Sequence, residues 1–232
     1  MDTSVFDLQP DFRRGVVVAR KVRNDPSAPG LVRRLRAAEQ QVRGSLDIAT
    51  LAQIAQIVDW RSAFKSFGAD PGKFRAAGEA LIRRTLAGNP LPAISTVVDI
   101  GTVLSLRHLV PCGAHSLDDV KRELLLTRAV GDETFVPFTK EGTVEHPEAG
   151  EVVFVDDSQV ATRRWAWRQG AHTIIRPETE NFELNIDCLG STTDNQLRAA
   201  MSEAVDLIRE FCGAPDISTG VLDKNNPTFT VQ

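Results

Sequence analysis

Gly15 to Val22 reads GVVVARKV, an unbroken β-branched run of the kind that forms a strand covered on both faces. NDPSAPG interrupts it, and from Leu31 the apolar positions return at helical spacing: LVRRLRAAEQQV, then SLDIATLAQIAQIVDW with Ser45 or Asp47 as a cap. DPGKFRAAGEALIRRTLAG predicts a further helix, with Asp70 as N-cap, Pro71 in the first turn and Gly88 just past the end. NPLP leads into AISTVVDIGTVLSLRHLV, whose length favours a helix although its Val and Ile content leaves a strand open.

Beyond Pro111 the texture changes. ELLLTRAV, TFVPF, EVVFVDD, QVATRRWAWRQG and FELNIDCL are short β-rich runs separated by Gly, Pro, Asp and Glu. QLRAAMSEAVDLIREFCG is an amphipathic helix ending at Gly213, and VLDKNNPTFTVQ supplies a last strand. Helices gather early and strands later, which predicts an α+β fold, a mostly antiparallel or mixed sheet packed with helices.

Composition sets the bounds on function. The 232 residues, 42% hydrophobic and 25% charged, suffice for one large domain with a real core. No apolar run is long enough to span a bilayer, and MDTSVFDLQPDFRR is acidic where a secretory leader is basic, so a cytoplasmic protein without a membrane partner is expected. Cys112, Cys188 and Cys212 form no CxxC pair and fit reduced thiols. His108, His115, His146 and His172 make no close ligand pair, so no metal is expected, and the absence of GxxxxGK[ST] and GxGxxG argues against a nucleotide cofactor; no cofactor is expected at all. The net charge of -4 hides an asymmetry: residues 1 to 128 hold 19 Lys and Arg against 13 Asp and Glu, whereas residues 129 to 232 hold 8 against 18. Such a split permits a local basic face toward phosphates, although Arg33, Arg34, Arg36 and Arg43 equally suit a solvated helix surface.

Two features carry candidate chemistry. In QVATRRWAWRQG the alternation of a strand puts Trp165 and Trp167 on one face and Arg164, Ala166 and Arg168 on the other, where Trp beside Arg stacks on bases or an apolar ligand, or else packs in the core. In RHLVPCGAHSLDD a Pro-Cys-Gly turn precedes His115, which by residue type alone is either a reactive group or an ordinary loop histidine.

The order NPLPAISTVVDIGTVLSLRHLVPCGAHSLDD, GEVVFVDDS, WAWRQG, RPETENFELNIDC resembles the B3/B4 domain, the editing module of the β subunit of bacterial phenylalanyl-tRNA synthetase, and most closely the free-standing proteins that carry this module alone. The resemblance covers roughly residues 90 to 188 and implies a B3/B4-like editing fold, one domain over 1–232, with the helical region 30–88 as an integral extension. It implies an aminoacyl-tRNA deacylase that acts without a metal, partnered by the aminoacylated 3′ end of tRNA and by a synthetase, with no role for DNA. Position by position, His115 matches the pocket histidine, and Asp99 the aspartate of the preceding segment. Gly101 and Thr102 stand where the synthetase has Thr-Asn. The glycine-rich turn of the pocket corresponds to Ala166 through Gly170, here carrying Trp167, Arg168 and Gln169, while Thr179 and Asn181 keep the following Thr-x-Asn. The pocket glutamate falls on Asn185 or Asp187.

These matches assign His115 to orienting or deprotonating a water, Arg168 or the amides of Gln169 and Gly170 to the carbonyl, Thr179 and Asn181 to substrate or ribose, and Asp99 to a supporting anchor. A ribose hydroxyl could assist the water instead. Trp167 and Arg168 in place of glycines imply a smaller or more polar amino acid than tyrosine. Two other readings stay open: a non-catalytic tRNA- or amino-acid-binding module, and a hydrolase of small esters or amides that needs no RNA.

Overall fold

The computed structural model describes residues 1–139, 142–213 and 215–231. Its architecture is α+β, with two four-stranded antiparallel sheets and, among the described residues, six α-helices. The first sheet runs β2 (Cys112–Ser116), β7 (Asn181–Cys188), β1 (Arg13–Arg20), β8 (Asp216–Leu222). The second runs β3 (Leu124–Arg128), β4 (Val152–Asp156), β5 (Gln159–Arg163), β6 (Arg168–Gln169).

Side-chain alternation explains how the first sheet is used. Val17 and Ala19 of β1 share a face with Phe182, Leu184 and Ile186 of β7, and this face carries the main core. Against it lie α2 (Pro29–Ser45), α4 (Ala77–Leu86), α5 (Thr96–His108) and α6 (Asp194–Phe211), contributing Leu35, Ile82, Val103, Leu104, Leu207 and Ile208. The opposite face presents Arg14, Val16 and Val18 beside Asp187, Asn185 and Glu183. FELNIDC alternates as a solvated strand does, yet Glu183, Asn185 and Asp187 are all buried, because the second sheet covers them. Phe154 of β4 makes that closure: the Arg14 guanidinium sits 4.5 Å from its ring centroid, and the His115 ring meets it edge-on at 5.0 Å.

A second core joins α1 (Thr3–Leu8) and α3 (Ala55–Ser66) to the second sheet through Val5, Phe12, Trp60, Phe64, Leu126, Val152 and Trp165. Trp165 stands edge-on to Phe12 at 4.9 Å and to Trp60 at 5.6 Å.

Several local expectations are corrected. Residues 164–167 are a tight turn between β5 and β6, not strand: Arg164 and Trp165 both take left-handed backbone, φ 48° and 64°, so the two tryptophans do not share a strand face. Trp165 enters the core, while Trp167 packs at its edge on Phe74, 4.8 Å away. His115 lies on a strand, because Cys112 to Ser116 pair with β7 instead of turning. Asp70 accepts from the Gly72 amide at 2.8 Å in a local turn, so the helix after it begins only at Ala77; Gly88 follows its end with φ 90°. Asp47 likewise closes a turn on the Ala49 amide, and α3 starts after a single 3-10 turn, Leu51–Gln53. TFVPF makes isolated bridges instead of a strand. The last strand is DISTGVL, which has β1 as its partner; residues 223–231 pass over the sheets without joining one, and Gln232 lies outside the described residues.

α3 and α4 are tied by one buried carboxylate. Glu79 accepts from Arg61 Nε and Nη2 at 3.0 and 2.6 Å and from Arg83 Nε at 2.7 Å. Burial opposes its charge, but the two guanidinium groups hold the carboxyl below the usual range. Glu79→Ala should cost about 2 kcal/mol, less than a fully buried pair because Arg61 and Arg83 can rehydrate. The check is a lower urea midpoint at unchanged slope.

Candidate functional site

Where the two sheets meet over β2 and β7, they leave a hollow of about 170 Å³. Its floor is the polar face of the first sheet, its roof the β5–β6 hairpin. Arg14 anchors the floor: Nε and Nη2 grip both oxygens of Asp187 at 2.7 and 2.8 Å, with both side chains almost fully buried. Burial works against the Arg14 charge, but Asp187 more than offsets it and holds the guanidinium above its ordinary range. Gly113 gives the floor its depth, since a Cβ there would lie 2.8 Å from Asn185 Oδ1.

His115 projects from β2 into this space, 3% exposed. Its Nδ1 lies 2.7 Å from Thr173 Oγ1, and Nε2 is 3.4 Å from Thr162 Oγ1 on β5. Burial, together with the nearby charges of Arg14 and His172, lowers its pKa to about 3. The imidazole is therefore neutral at physiological pH and too weakly basic to deprotonate water there. It can hold a water or a substrate atom by hydrogen bonding. Its neighbour across the strands, Glu183, moves the other way: burial, helped by Asp187 and opposed by Arg14, raises its carboxyl to about 8.

The roof is fixed from outside. Ala166 accepts from the amide of Ala77 at 2.7 Å, docking the turn onto the start of α4. The Arg164 guanidinium lies 3.8 Å from the Phe74 ring centroid and 4.7 Å from that of Trp167. Arg168 is held by Glu145 at 3.2 Å, and Gln169 Nε2 donates to the Ala114 carbonyl at 2.8 Å. Trp165 Nε1 and Asn185 Oδ1, both in residues lining the hollow, are buried with no hydrogen-bond partner. Buried polar atoms are normally satisfied, so a donor and an acceptor without protein partners in residues bordering one hollow make it a candidate ligand or water site.

Of the residues singled out from the sequence, His115, Trp167, Arg168 and Gln169 line the hollow together. The others do not. Gly170 follows β6 beside Val160, whose carbonyl a Cβ would meet at 2.8 Å. Asp99, Gly101 and Thr102 sit on α5, in the helical layer behind the first sheet; Asp99 accepts from Ser27 Oγ at 2.6 Å and from the Ile94 amide at 3.0 Å, fixing the entry of that helix. Thr179 Oγ1 accepts from the Arg176 amide at 2.9 Å, and Asn181 Nδ2 donates to Asp118 at 2.6 Å, outside the hollow. Of the two candidates for the pocket glutamate, Asn185 lines the hollow and Asp187 is occupied by Arg14. Sequence reasoning missed Arg14, Phe154 and Thr162, all strand residues whose partners are distant in the chain. The arginines of α2 are mostly engaged: Arg34 with Glu210, Arg36 with Glu39 and the Leu91 carbonyl, Arg43 with the Thr85 carbonyl.

No group of His, Cys, Asp and Glu suited to a metal occurs among the described residues. No described helix is long and apolar enough to cross a membrane.

Two facing antiparallel sheets, backed by helices and enclosing a polar hollow, define the class as an α+β domain with a cavity between its sheets. The family model of the B3/4 domain matches residues 59–213, and the chain belongs to that family. An N-terminal fragment of the phenylalanyl-tRNA synthetase β-subunit from Pyrococcus horikoshii aligns over 92% of this chain at 11% identity and a TM-score of 0.41, and the chain spans 48% of that structure. Among curated proteins none matches.

The two shifted groups make opposite contributions to stability. His115, at about 3 folded against 6.5 ordinarily, stabilises the fold above pH 6.5, and this is lost as pH falls toward 3. Glu183, at about 8 against 4.5, stabilises it below pH 4.5, and this is lost as pH rises toward 8. Urea unfolding at a series of pH values should show a plateau between about 4.5 and 6.5 with losses on both sides. Glu183→Gln should remove the alkaline loss and His115→Asn should reduce the acid one.

Proposed function

We propose that this B3/B4 protein binds the aminoacylated 3′ end of tRNA in the cytoplasm and hydrolyses the ester of a wrongly attached amino acid. Family membership supports this reading, and one observation carries it: a small hollow bordered by His115, whose imidazole is neutral, and by Trp165 and Asn185, whose buried indole N–H and amide oxygen have no hydrogen-bond partner. Residues 1–232 act as one unit in this reading, the helices of 30–88 backing the sheet that forms the floor.

An aminoacyl ester is already activated, so the protein needs only to orient it, place a water and stabilise charge. Asn185 Oδ1 suits the α-ammonium of the amino acid. Trp165 Nε1–H faces the oxyanion that forms as water attacks the carbonyl carbon, with Arg168 adding positive charge at the rim. His115 Nε2 holds the water. The proton leaving that water reaches the departing ribose oxygen as the ester C–O bond breaks, and a neighbouring ribose hydroxyl is the natural relay because His115 stays neutral. A hollow of about 170 Å³ walled by Trp167 favours a small or polar side chain over tyrosine.

A second reading, a binder without turnover, is favoured by the weak basicity of His115. A panel of mischarged tRNAs separates the two: a deacylase releases free amino acid over many turnovers, whereas a binder retards tRNA in a gel and releases none. A hydrolase of free aminoacyl esters would be indifferent to salt, unlike a tRNA binder. For the deacylase, His115→Asn should lower kcat about tenfold and Asn185→Leu should mainly raise KM. The rate profile should show no histidine inflection between pH 5 and 8; one near 6.5 that disappears in His115→Asn would return the imidazole to the role of base.

A further inference from the structure

A larger cavity, about 580 Å³, lies on the same face of the first sheet, over β1 and β8; Arg14 and Phe154 border both spaces. That volume falls in the usual range for small-molecule sites. Part of its wall is apolar, from Val16 and Val18 of β1, Leu117, Leu124 and, from the segment crossing above, Phe229, while Arg122, Glu123 and Thr228 also border it. Two polar atoms with no hydrogen-bond partner belong to residues that border it, Glu183 Oε2 and Arg14 Nη1. Glu183 is 6% and Arg14 2% exposed, so neither is a surface group awaiting water. Nothing in the hydrolysis proposed for the smaller hollow uses either atom.

The chemistry of the pair selects the ligand. A neutral carboxylic acid donates one O–H and the guanidinium one N–H, and two converging donors match the two oxygens of a carboxylate. An ammonium ligand would meet the N–H donors of Arg14 Nη1 here, with no open amide oxygen such as Asn185 Oδ1 to receive it. The apolar stretch of wall around Val16, Val18 and Phe229 suits a hydrocarbon tail. We propose that this cavity binds a monocarboxylate with an apolar tail, its carboxylate received by the Glu183 carboxyl and Arg14 Nη1. This site is independent of ester hydrolysis and stands or falls without it.

Charge at the cavity sets a pH dependence. The groups around Glu183 are Arg14 on β1, Asp187 on its own strand, His115 on β2, Arg122 and Glu123 ahead of β3, and the Met1 amine. Arg14 stays charged and His115 neutral between pH 6 and 9, whereas Glu183 ionises near 8 and then opposes a second carboxylate. The Met1 amine, lowered by burial and by Arg14, also titrates toward neutrality as pH rises.

Calorimetric titration of the full chain with sodium decanoate tests the proposal. Saturable binding of one decanoate per chain is expected at pH 6.5, weaker by about tenfold or more at pH 9. Octanoate, two methylenes shorter, should bind about tenfold more weakly, and decan-1-ol should bind more weakly than decanoate. Val18→Trp, which fills the cavity, should abolish binding. Glu183→Gln keeps a neutral donor and should bind at pH 6.5 with most of the pH dependence gone. Absence of binding at pH 6.5, equal binding of the alcohol, or the full wild-type pH dependence in Glu183→Gln would overturn the assignment. Should Val18→Trp fail to fold, the Gln variant and the alcohol still decide it.

Discussion

The organisation of this molecule depends on a guanidinium and a carboxylate that have left water together. Arg14 and Asp187 lie directly opposite each other on the two central strands of the first sheet, gripped at 2.7 and 2.8 Å and sealed under Phe154. A charge placed there alone would be strongly unfavourable, and the pair is tolerable because each group supplies most of what the other lost on leaving solvent. Once the pair is buried, the remaining polar residues on that face are drawn in with it. Asn185, Glu183 and His115 follow at two-residue steps or across the ladder, so a polar seam forms between two sheets where an ordinary sandwich would have a hydrocarbon core.

That seam divides the face into two spaces of different character. Over β2 and β7 the walls are polar and aromatic and the space is small; over β1 and β8 more aliphatic residues line it, and the space is more than three times as large. Desolvation pushes the two ionisable groups between them in opposite directions, leaving both His115 and Glu183 uncharged near neutrality. The site thus achieves polarity without net charge of its own, apart from Arg168 at the rim, a setting that favours hydrogen-bonded positioning over proton transfer.

The elements themselves were largely legible in the chain. GVVVARKV, the periodic run of α2 and the capped helix α6 announce themselves through pattern and turn chemistry. What the sequence withheld is where polar residues end up. FELNIDC is compatible with a half-solvated strand, and only the arrival of β4 and β5 over it buries the Glu, Asn and Asp. Pro111 and Gly113 look like a turn, but the glycine is there to let Asn185 approach, which no local rule reveals. Trp165 gave no signal of a left-handed turn, because tryptophan has little preference for one; three aromatic neighbours hold it there. The family resemblance placed His115, Trp167, Arg168 and Gln169 near one another, and stopped at residues such as Arg14 that lie outside the motifs carrying it.

The crossing of β1 with β7 also bears on how the chain comes into being. Arg14 leaves the ribosome 173 residues before Asp187, and β8, which completes the sheet on the other side, is later still. Throughout synthesis the early strand is a valine-rich segment whose Arg14 still lacks its carboxylate, with no hydrogen-bonding neighbour on either edge. Helices α2 to α5 can gather meanwhile, but neither cavity can exist before the C-terminal quarter emerges. A half-made copy therefore lacks both cavities, and its open strand needs shielding from other nascent chains until the final segments arrive.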